Sequence, residues 1–329
     1  MALQDWKPTA STIALRERAG LLKAVRQYFD SAGVMEVETP VLSSNATVDI
    51  YIDSFSTEFK PIGGGRQQNY YLHTSPEFPM KRLLAAGSGD IYSMGKVFRN
   101  GEAGGRHNPE FTMLEWYRVG MDQQRMMDDV ASLLSSICSF TEVHRYNYGE
   151  VFMKYLSINP YTATNEELDL LVQSKVDASL TDLERNDCLD VLFSTHIEPS
   201  LGSINDGAIE GVFVYDYPET MSALARLQTN AKGEKVAARF ELFAGGIELA
   251  NGYHELLDAQ EQEARFKAEQ NKRQEKGLEV LPYDSRMVSA LENGMPDCAG
   301  VAMGIDRLLM LMMNTKNIAD VIAFDFSRA

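Results

Sequence analysis

Residues 92–117, YSMGKVFRNGEAGGRHNPEFTMLEWY, decide how the rest of this 329-residue chain is read. Tyr92, Met94, Lys96 and Phe98 alternate with their neighbours and residues 111–119 alternate again, which predicts two strands around a glycine-rich turn. The turn carries Arg99, Glu102, Arg106 and His107, so cations and hydrogen-bond donors gather at one end of a sheet, where a polyanion can lie. On the outgoing strand, alternation puts Phe111, Met113, Glu115 and Tyr117 on one face. A carboxylate among aromatic and apolar neighbours is costly to bury unless a cation meets it. Taken alone, the stretch reads first as a surface hairpin with ordinary ion pairs, and the rest of the chain overturns that reading.

The totals narrow the field. The length allows one large domain or two small ones with ample core. A formal charge of −16 argues against broad, nonspecific nucleic-acid binding, which needs several lysines or arginines against phosphates, and leaves room for a local basic groove. Cys138, Cys188 and Cys298 are odd in number and widely spaced, without the pairing of a zinc site or a disulfide framework, so a reducing cytoplasm is expected. No apolar run approaches the ~20 residues that span a bilayer, and the charged first thirty residues lack a signal-peptide core; no membrane partner is expected.

Upstream of the hairpin, residues 1–10 read as a tail. Leu15, Ala19, Leu22, Val25 and Phe29 then recur at helical spacing up to Gly33, and a strand follows that Pro40 closes. Residues 49–59 and 70–73 read as strands around a glycine turn at 63–65. In TSPEFPMKRLL, residues 74–84, Ser75 before Pro76 marks a helix start with proline at the first helical position, Glu77 suits the helix dipole, and Met80, Leu83 and Leu84 face inward.

Downstream, residues 122–140 form a helix burying Met126, Val130, Leu133, Leu134 and Ile137. Residues 148–201 are helical and polar, with a capping box at Thr181 and Glu184; they hold no catalytic constellation and read as a packing layer or an insertion. After a strand at 211–217, residues 236–244 and 247–251 form a hairpin about Gly245 and Gly246. Pairing Ala244 with Ile247 sets Glu241 opposite Ala250, so that Glu241 and Glu248 become diagonal neighbours with Cβ atoms roughly 7 Å apart. A divalent cation that bridges phosphate oxygens would relieve their repulsion; two exposed glutamates are the alternative. Gly252 reads as a bulge that re-aims Asn251 and Glu255. Residues 257–276 read as a solvated helix and 284–292 as another, capped by Gly294. A small-residue strand at 299–304 then enters Asp306, Arg307 and an apolar helix, with Gly300 and Gly304 admitting close approach. Without repeats or linkers, residues 11–329 read as one catalytic domain.

A helix-strand-proline unit, FRNGEAGGRHNPEF, GIELANGYHEL and AGVAMGIDRLLML, in that order, resemble the three signature motifs and the acidic strand of class II aminoacyl-tRNA synthetases. From about residue 11 to the end the chain is most similar to the lysyl-tRNA synthetase core. The resemblance implies an α+β fold, a class II antiparallel sheet flanked by helices, together with ATP, Mg2+ and a cytoplasmic homodimer. A full lysyl-tRNA synthetase carries an anticodon-binding domain ahead of the first motif; only about ten residues stand there here, so neither anticodon recognition nor a tRNA partner is expected. With HTSPEFPMKRLL, LEWYR and GVAMGIDR, the chain looks like the lysyl-synthetase paralogues that activate (R)-β-lysine and join it to a lysine of elongation factor P. The rival readings are a paralogue that charges tRNA or makes a free amide, and a binding module that has lost catalysis.

The resemblance implies roles residue by residue. Arg99 would meet the α-phosphate, where attack by a carboxylate builds negative charge, and Arg307 would cover adenine and reach the γ-phosphate; these two are the implied catalytic residues. Phe111 would stack on the other face of adenine. Asn100, Gly101, Glu102, Arg106, His107, Asn108, Glu248, Leu249 and Gly304 would complete the ATP contacts, and Glu241 and Glu248 would hold the metal. Ser75, Pro76, Glu77, Glu115, Tyr117, Asn251, Glu255 and Ala302 would surround the amino acid, whose two ammonium groups suit three carboxylates. Two positions depart from the lysyl pattern. Gly101 stands where a glutamate reads the adenine amine, with Glu102 next to it. Ala302 replaces a motif-three glycine, and a methyl at a pocket wall shifts discrimination by roughly 1 to 3 kcal/mol, here toward β-lysine.

Overall fold

Ser11 starts the first helix by accepting the Ala14 N–H at 3.1 Å, and helix Thr12–Ser31 runs until Gly33 turns the chain at φ +69°. This computed structural model describes residues 6–205 and 207–329. The expected tail therefore lies outside the described residues at 1–5, while the Thr9 N–H is already bonded to Ala323 O at 2.8 Å. The chain forms two units: Met1–Gly120 with Leu257–Cys298 and Ala302–Ala329, and Met121–Leu256 with Ala299–Val301. Both are α+β, strands flanked by helices.

In the first unit, strands Ile91–Phe98 and Glu110–Val119 pair antiparallel, from Ile91 opposite Tyr117 to Phe98 opposite Glu110. Phe29 of the first helix stacks on Tyr92 at 4.4 Å and meets Trp116 edge-on at 5.5 Å, which clamps the helix to this pair. All three rings are buried, and truncating such a ring to alanine costs about 3 to 5 kcal/mol. The strand expected before Pro40 is only Met35–Glu36, in parallel with Ile91–Tyr92. Pro40 lacks an N–H and restricts the residue before it, so the ladder ends early. A small sheet holds Leu42–Ser43, Gln68–Leu72 and Ser56–Phe59. The strand expected over 49–59 loses its first half because Asp49 caps its own turn, accepting the Tyr51 N–H at 2.8 Å. Helix Glu77–Ala85 begins one residue later than expected, with Pro76 at the cap position and not inside. Helix Ala259–Glu275 is mostly solvated, yet Arg273 is buried and donates to Asp53, Asp49 O and Glu279 O. Ser285–Glu292 follows, capped by Asp284, and Ile305–Met312 begins at Gly304.

In the second unit the strands run in the order Ile247–His254, Lys235–Ala244, Ala208–Pro218 and Phe140–Asn147, the last pair parallel. Phe140–Asn147 was not anticipated, since exposed Glu142, His144 and Arg145 hide its apolar alternation. Helix Gln123–Ile137 precedes it. Helices Tyr148–Leu156, Asn165–Lys175 and Arg185–Leu192 occupy the stretch expected to be helical, and the rings of Tyr148, Phe152 and Phe193 cluster, with centroids 4.7 to 6.3 Å apart. The capping box expected at Thr181 is absent: Asp182 takes φ +58° and the helix starts at Arg185, whereas boxes form at Asn147 with Glu150 and at Thr164 with Glu167.

Gly245 and Gly246 both take positive φ, as a two-residue hairpin requires, and Ala244 pairs with Ile247 as expected. The register then shifts. Glu241 lies opposite Asn251, not Ala250, because the partner strand bulges at Leu249 between Phe243–Glu248 and Leu242–Ala250. Gly252 is therefore not the bulge; it is glycine because an added Cβ would lie 2.4 Å from the Phe240 ring and 2.8 Å from Gly300 O.

Candidate functional site

The turn of the first hairpin is held by backbone bonds from Arg99 to Pro109 O and from Asn100 to Asp53 O. That geometry lays the Arg99 guanidinium over the Phe111 ring, 5.2 Å from its centroid, with Glu102 3.8 Å away. Arg99 Nε is buried without a hydrogen-bond partner among the described residues, so the cation retains a donor for an incoming anion. Gly101 takes φ +84°, a conformation strained for any residue with a side chain. A glutamate at this position would be strained, and the acid near Arg99 is Glu102, 3.8 Å away. Arg106 and His107 are exposed, and Arg307 donates to His107 Nε2 at 2.7 Å. Asn108 is committed at both ends, donating to Glu110 O at 2.6 Å and accepting the Phe326 N–H at 2.9 Å. Gly304 caps the helix that carries Arg307, and Ala302 is half-exposed on strand Cys298–Gly304.

Sequence reasoning missed what fixes these groups from behind. Arg18 pairs with buried Asp306 at 2.5 Å and donates to Thr112 Oγ1 at 2.6 Å, while Asp306 accepts the Thr112 N–H at 2.6 Å. Thr112 and Asp306 are the chain neighbours of Phe111 and Arg307. A helical arginine at a polar-face spacing carries no signal of this buried role.

Further along the same strand, Glu115 is 2% exposed and accepts hydrogen bonds from Ser75 at 2.7 Å and Tyr117 at 2.8 Å. Ser75 also accepts the Glu77 N–H at 2.9 Å, which ties the pocket to the start of helix Glu77–Ala85; Pro76 is buried beside it. Burial and the charge of Glu77 push the Glu115 carboxyl up to about 8, against the pull of Ser75, Tyr117 and Lys81. The structure thus brings Ser75, Pro76, Glu77, Glu115 and Tyr117 together and adds a residue not anticipated: Lys81, fully buried and paired with Glu77 at 2.7 Å. Its i,i+4 spacing from Glu77 is the signal that could have found it.

In the second unit, Glu241 is buried and accepts from Arg239 at 2.5 Å and Tyr217 at 2.6 Å, with Asn251 Nδ2 at 3.3 Å. The bulge at buried Leu249 keeps half-buried Glu248 close enough for its charge to act on Glu241. Burial and Glu248 push Glu241 up to about 7 in spite of Arg239. A buried carboxylate whose ionisation a neighbouring carboxylate opposes is a donor that a hard divalent cation would stabilise, so Glu241 with Glu248 beside it fits magnesium. Asn251 Oδ1 is buried without a hydrogen-bond partner among the described residues, and Glu255 is 1% exposed with its backbone carbonyl held by Arg226 at 3.0 Å.

Residues 4–328 match the family model of class II tRNA synthetases (D, K and N). The chain is 46% identical, over the whole of both chains, to a Vibrio cholerae serotype O1 protein named elongation factor P–(R)-β-lysine ligase. It is 43% identical to proteins of that name from Pseudoalteromonas translucida, again over the whole of both, and Photorhabdus laumondii subsp. laumondii, over 99% of this chain and 98% of that one. No described helix is long and apolar enough to cross a membrane.

Proposed function

This chain belongs to the class II tRNA synthetase family, and on that premise we propose that it activates (R)-β-lysine with ATP and transfers it to a lysine side chain of elongation factor P, with residues 11–329 as its catalytic part. A carboxylate oxygen of β-lysine attacks the α-phosphorus of ATP, the bond to pyrophosphate breaks, and an aminoacyl-adenylate forms. The ε-amine of the acceptor lysine then attacks the acyl carbon, AMP leaves with the C–O electrons, and the amine loses its proton. Neither step needs an enzyme nucleophile; positioning and charge neutralisation supply the rate.

The observation that carries this reading is the buried Ser75–Glu115–Tyr117 arrangement, an amine receptor on the same strand pair that presents Arg99 to an anion. Arg99 meets the α-phosphate, Phe111 the adenine and Arg307 the γ-phosphate, with Asn100, Gly101, Glu102, Arg106, His107, Asn108 and Gly304 completing the nucleotide contacts. Ser75, Pro76, Glu77, Glu115, Tyr117 and Ala302 serve the amino acid. Glu241 and Glu248 would hold magnesium, which when bound would neutralise phosphate charge.

Incubating the protein with ATP and elongation factor P should add one β-lysyl mass to the acceptor with (R)-β-lysine and much less with α-lysine, read by intact-mass spectrometry. Ala302→Gly should narrow that preference by about tenfold, the weight of roughly one methyl at a pocket wall. Labelled amino acid on tRNA or on a free amide would instead establish a rival activity, and no AMP production with either amine would leave only a binding module.

The same reading makes the protein a cytoplasmic homodimer. Ile13, Met35, Val41 and Leu42, at or beside the helix-strand-proline unit, are 69%, 50%, 41% and 49% exposed, and apolar residues of this size favour cover. Sedimentation at micromolar concentration should give twice the chain mass; a monomer would exclude the dimer.

A further inference from the structure

Lys81 is 0% exposed, and a lysine is buried this completely only when its charge is met. Its ammonium lies 2.7 Å from Glu77, and the same cluster contains Glu115, held by Ser75 and Tyr117. The charged and titratable groups here are Glu77 and Lys81 on helix Glu77–Ala85 and Glu115 and Tyr117 on the strand. Arg82, the neighbour of Lys81, pairs with Asp284 at the cap of the adjoining helix, 3.9 Å away. Setting that outer pair aside, two carboxylates face one ammonium, so the cluster carries a single net negative charge once Glu115 gives up its proton to an arriving ammonium.

We propose that Lys81 is a positioning residue for the substrate amine: by neutralising and fixing Glu77, it leaves Glu115 as the receptor for one ammonium group. The inference rests on the amine-receptor reading given above. Without Lys81, buried Glu115 and half-buried Glu77 act on each other unopposed, and such a pair holds a shared proton to higher pH because both cannot ionise cheaply. An amine would then have to displace a proton held more firmly than in wild type. The effect is one of charge, so arginine should substitute where methionine, of similar length, does not.

The test is amino-acid-dependent ATP–pyrophosphate exchange from pH 6 to 9.5 with wild type, Lys81→Met and Lys81→Arg. The methionine variant should move the acid limb of kcat/KM for (R)-β-lysine up by about one pH unit, raising KM about tenfold at pH 7, with KM for ATP within about twofold. Lys81→Arg should keep the wild-type limb. A folded Lys81→Met whose limb does not move overturns the proposal, even if its activity is lower. If Lys81→Met does not fold, the Glu77→Gln/Lys81→Met pair, which removes both charges, replaces it: a limb at or below the wild-type pH, now that no second carboxylate opposes Glu115, supports the proposal, and a limb moved upward overturns it. Wild type that exchanges with no diamino acid overturns the functional reading itself, an outcome separate from any comparison between variants.

Discussion

Arg99→Ala should lower ATP–pyrophosphate exchange by about 10³-fold or more while leaving thermal unfolding close to wild type. Removing one donor preorganised for a developing negative charge typically costs 10² to 10³ in rate, and a full positive charge at the α-phosphate is worth at least as much. The fold loses little, because the Arg99 side chain meets Phe111 at 5.2 Å and Glu102 at 3.8 Å, the latter a partly exposed pair worth at most about 1 kcal/mol. Arg99→Lys should not restore the rate: a lysine offers a point charge without the planar fork that lies across Phe111. The loss should fall on kcat more than on KM for ATP, since the charge develops in the transition state. Exchange within tenfold of wild type would remove Arg99 from the role assigned to it.

Local pattern and spacing carried the hairpin around Arg99 and Glu115 because strict alternation fixes which residues share a face, and the structure repeats that pairing from Ile91–Tyr117 to Phe98–Glu110. What escaped depends on packing that no spacing encodes. Leu249 slips the glutamate hairpin by one residue, a backbone event invisible in a run of ordinary strand residues. Arg18, Lys81 and Arg239 are cations that sequence reasoning places at the surface by default, yet each is buried or nearly so because a carboxylate of the candidate site meets it or stands beside it. Gly101 is the reverse case. It is legible only as a departure, and its φ of +84° is a backbone conformation that a glutamate would adopt only under strain.

Glu115→Gln should abolish exchange supported by the amine substrate, with a loss of about 10²-fold or more in kcat/KM, and should make the ligand-free protein more stable than wild type at pH 8 to 9. Both effects follow from one fact: a carboxyl held almost without solvent, pushed from 4.5 to about 8. In the folded chain Glu115 keeps its proton up to about pH 8, whereas the unfolded chain releases it above about 4.5. Between these values the native state binds more protons than the unfolded state, so stability is complete below pH 4.5 and falls as pH rises toward 8, by an amount on the order of a few kcal/mol. Glutamine cannot ionise, so it removes that decline. It also forces one of Ser75 and Tyr117 to reverse its hydrogen bond, because both donate to Glu115 in the wild type and an amide offers only one acceptor oxygen. The variant should therefore be no more stable than wild type at pH 5 and should gain on it steadily above pH 6, a difference readable as urea midpoints across the range. The receptor charge is then a cost to the free protein that the substrate ammonium offsets, and wild type should release a proton as the amine binds at pH 7. A stability difference that stays flat from pH 5 to 9 would show that Glu115 is ionised throughout and that burial does not hold its proton.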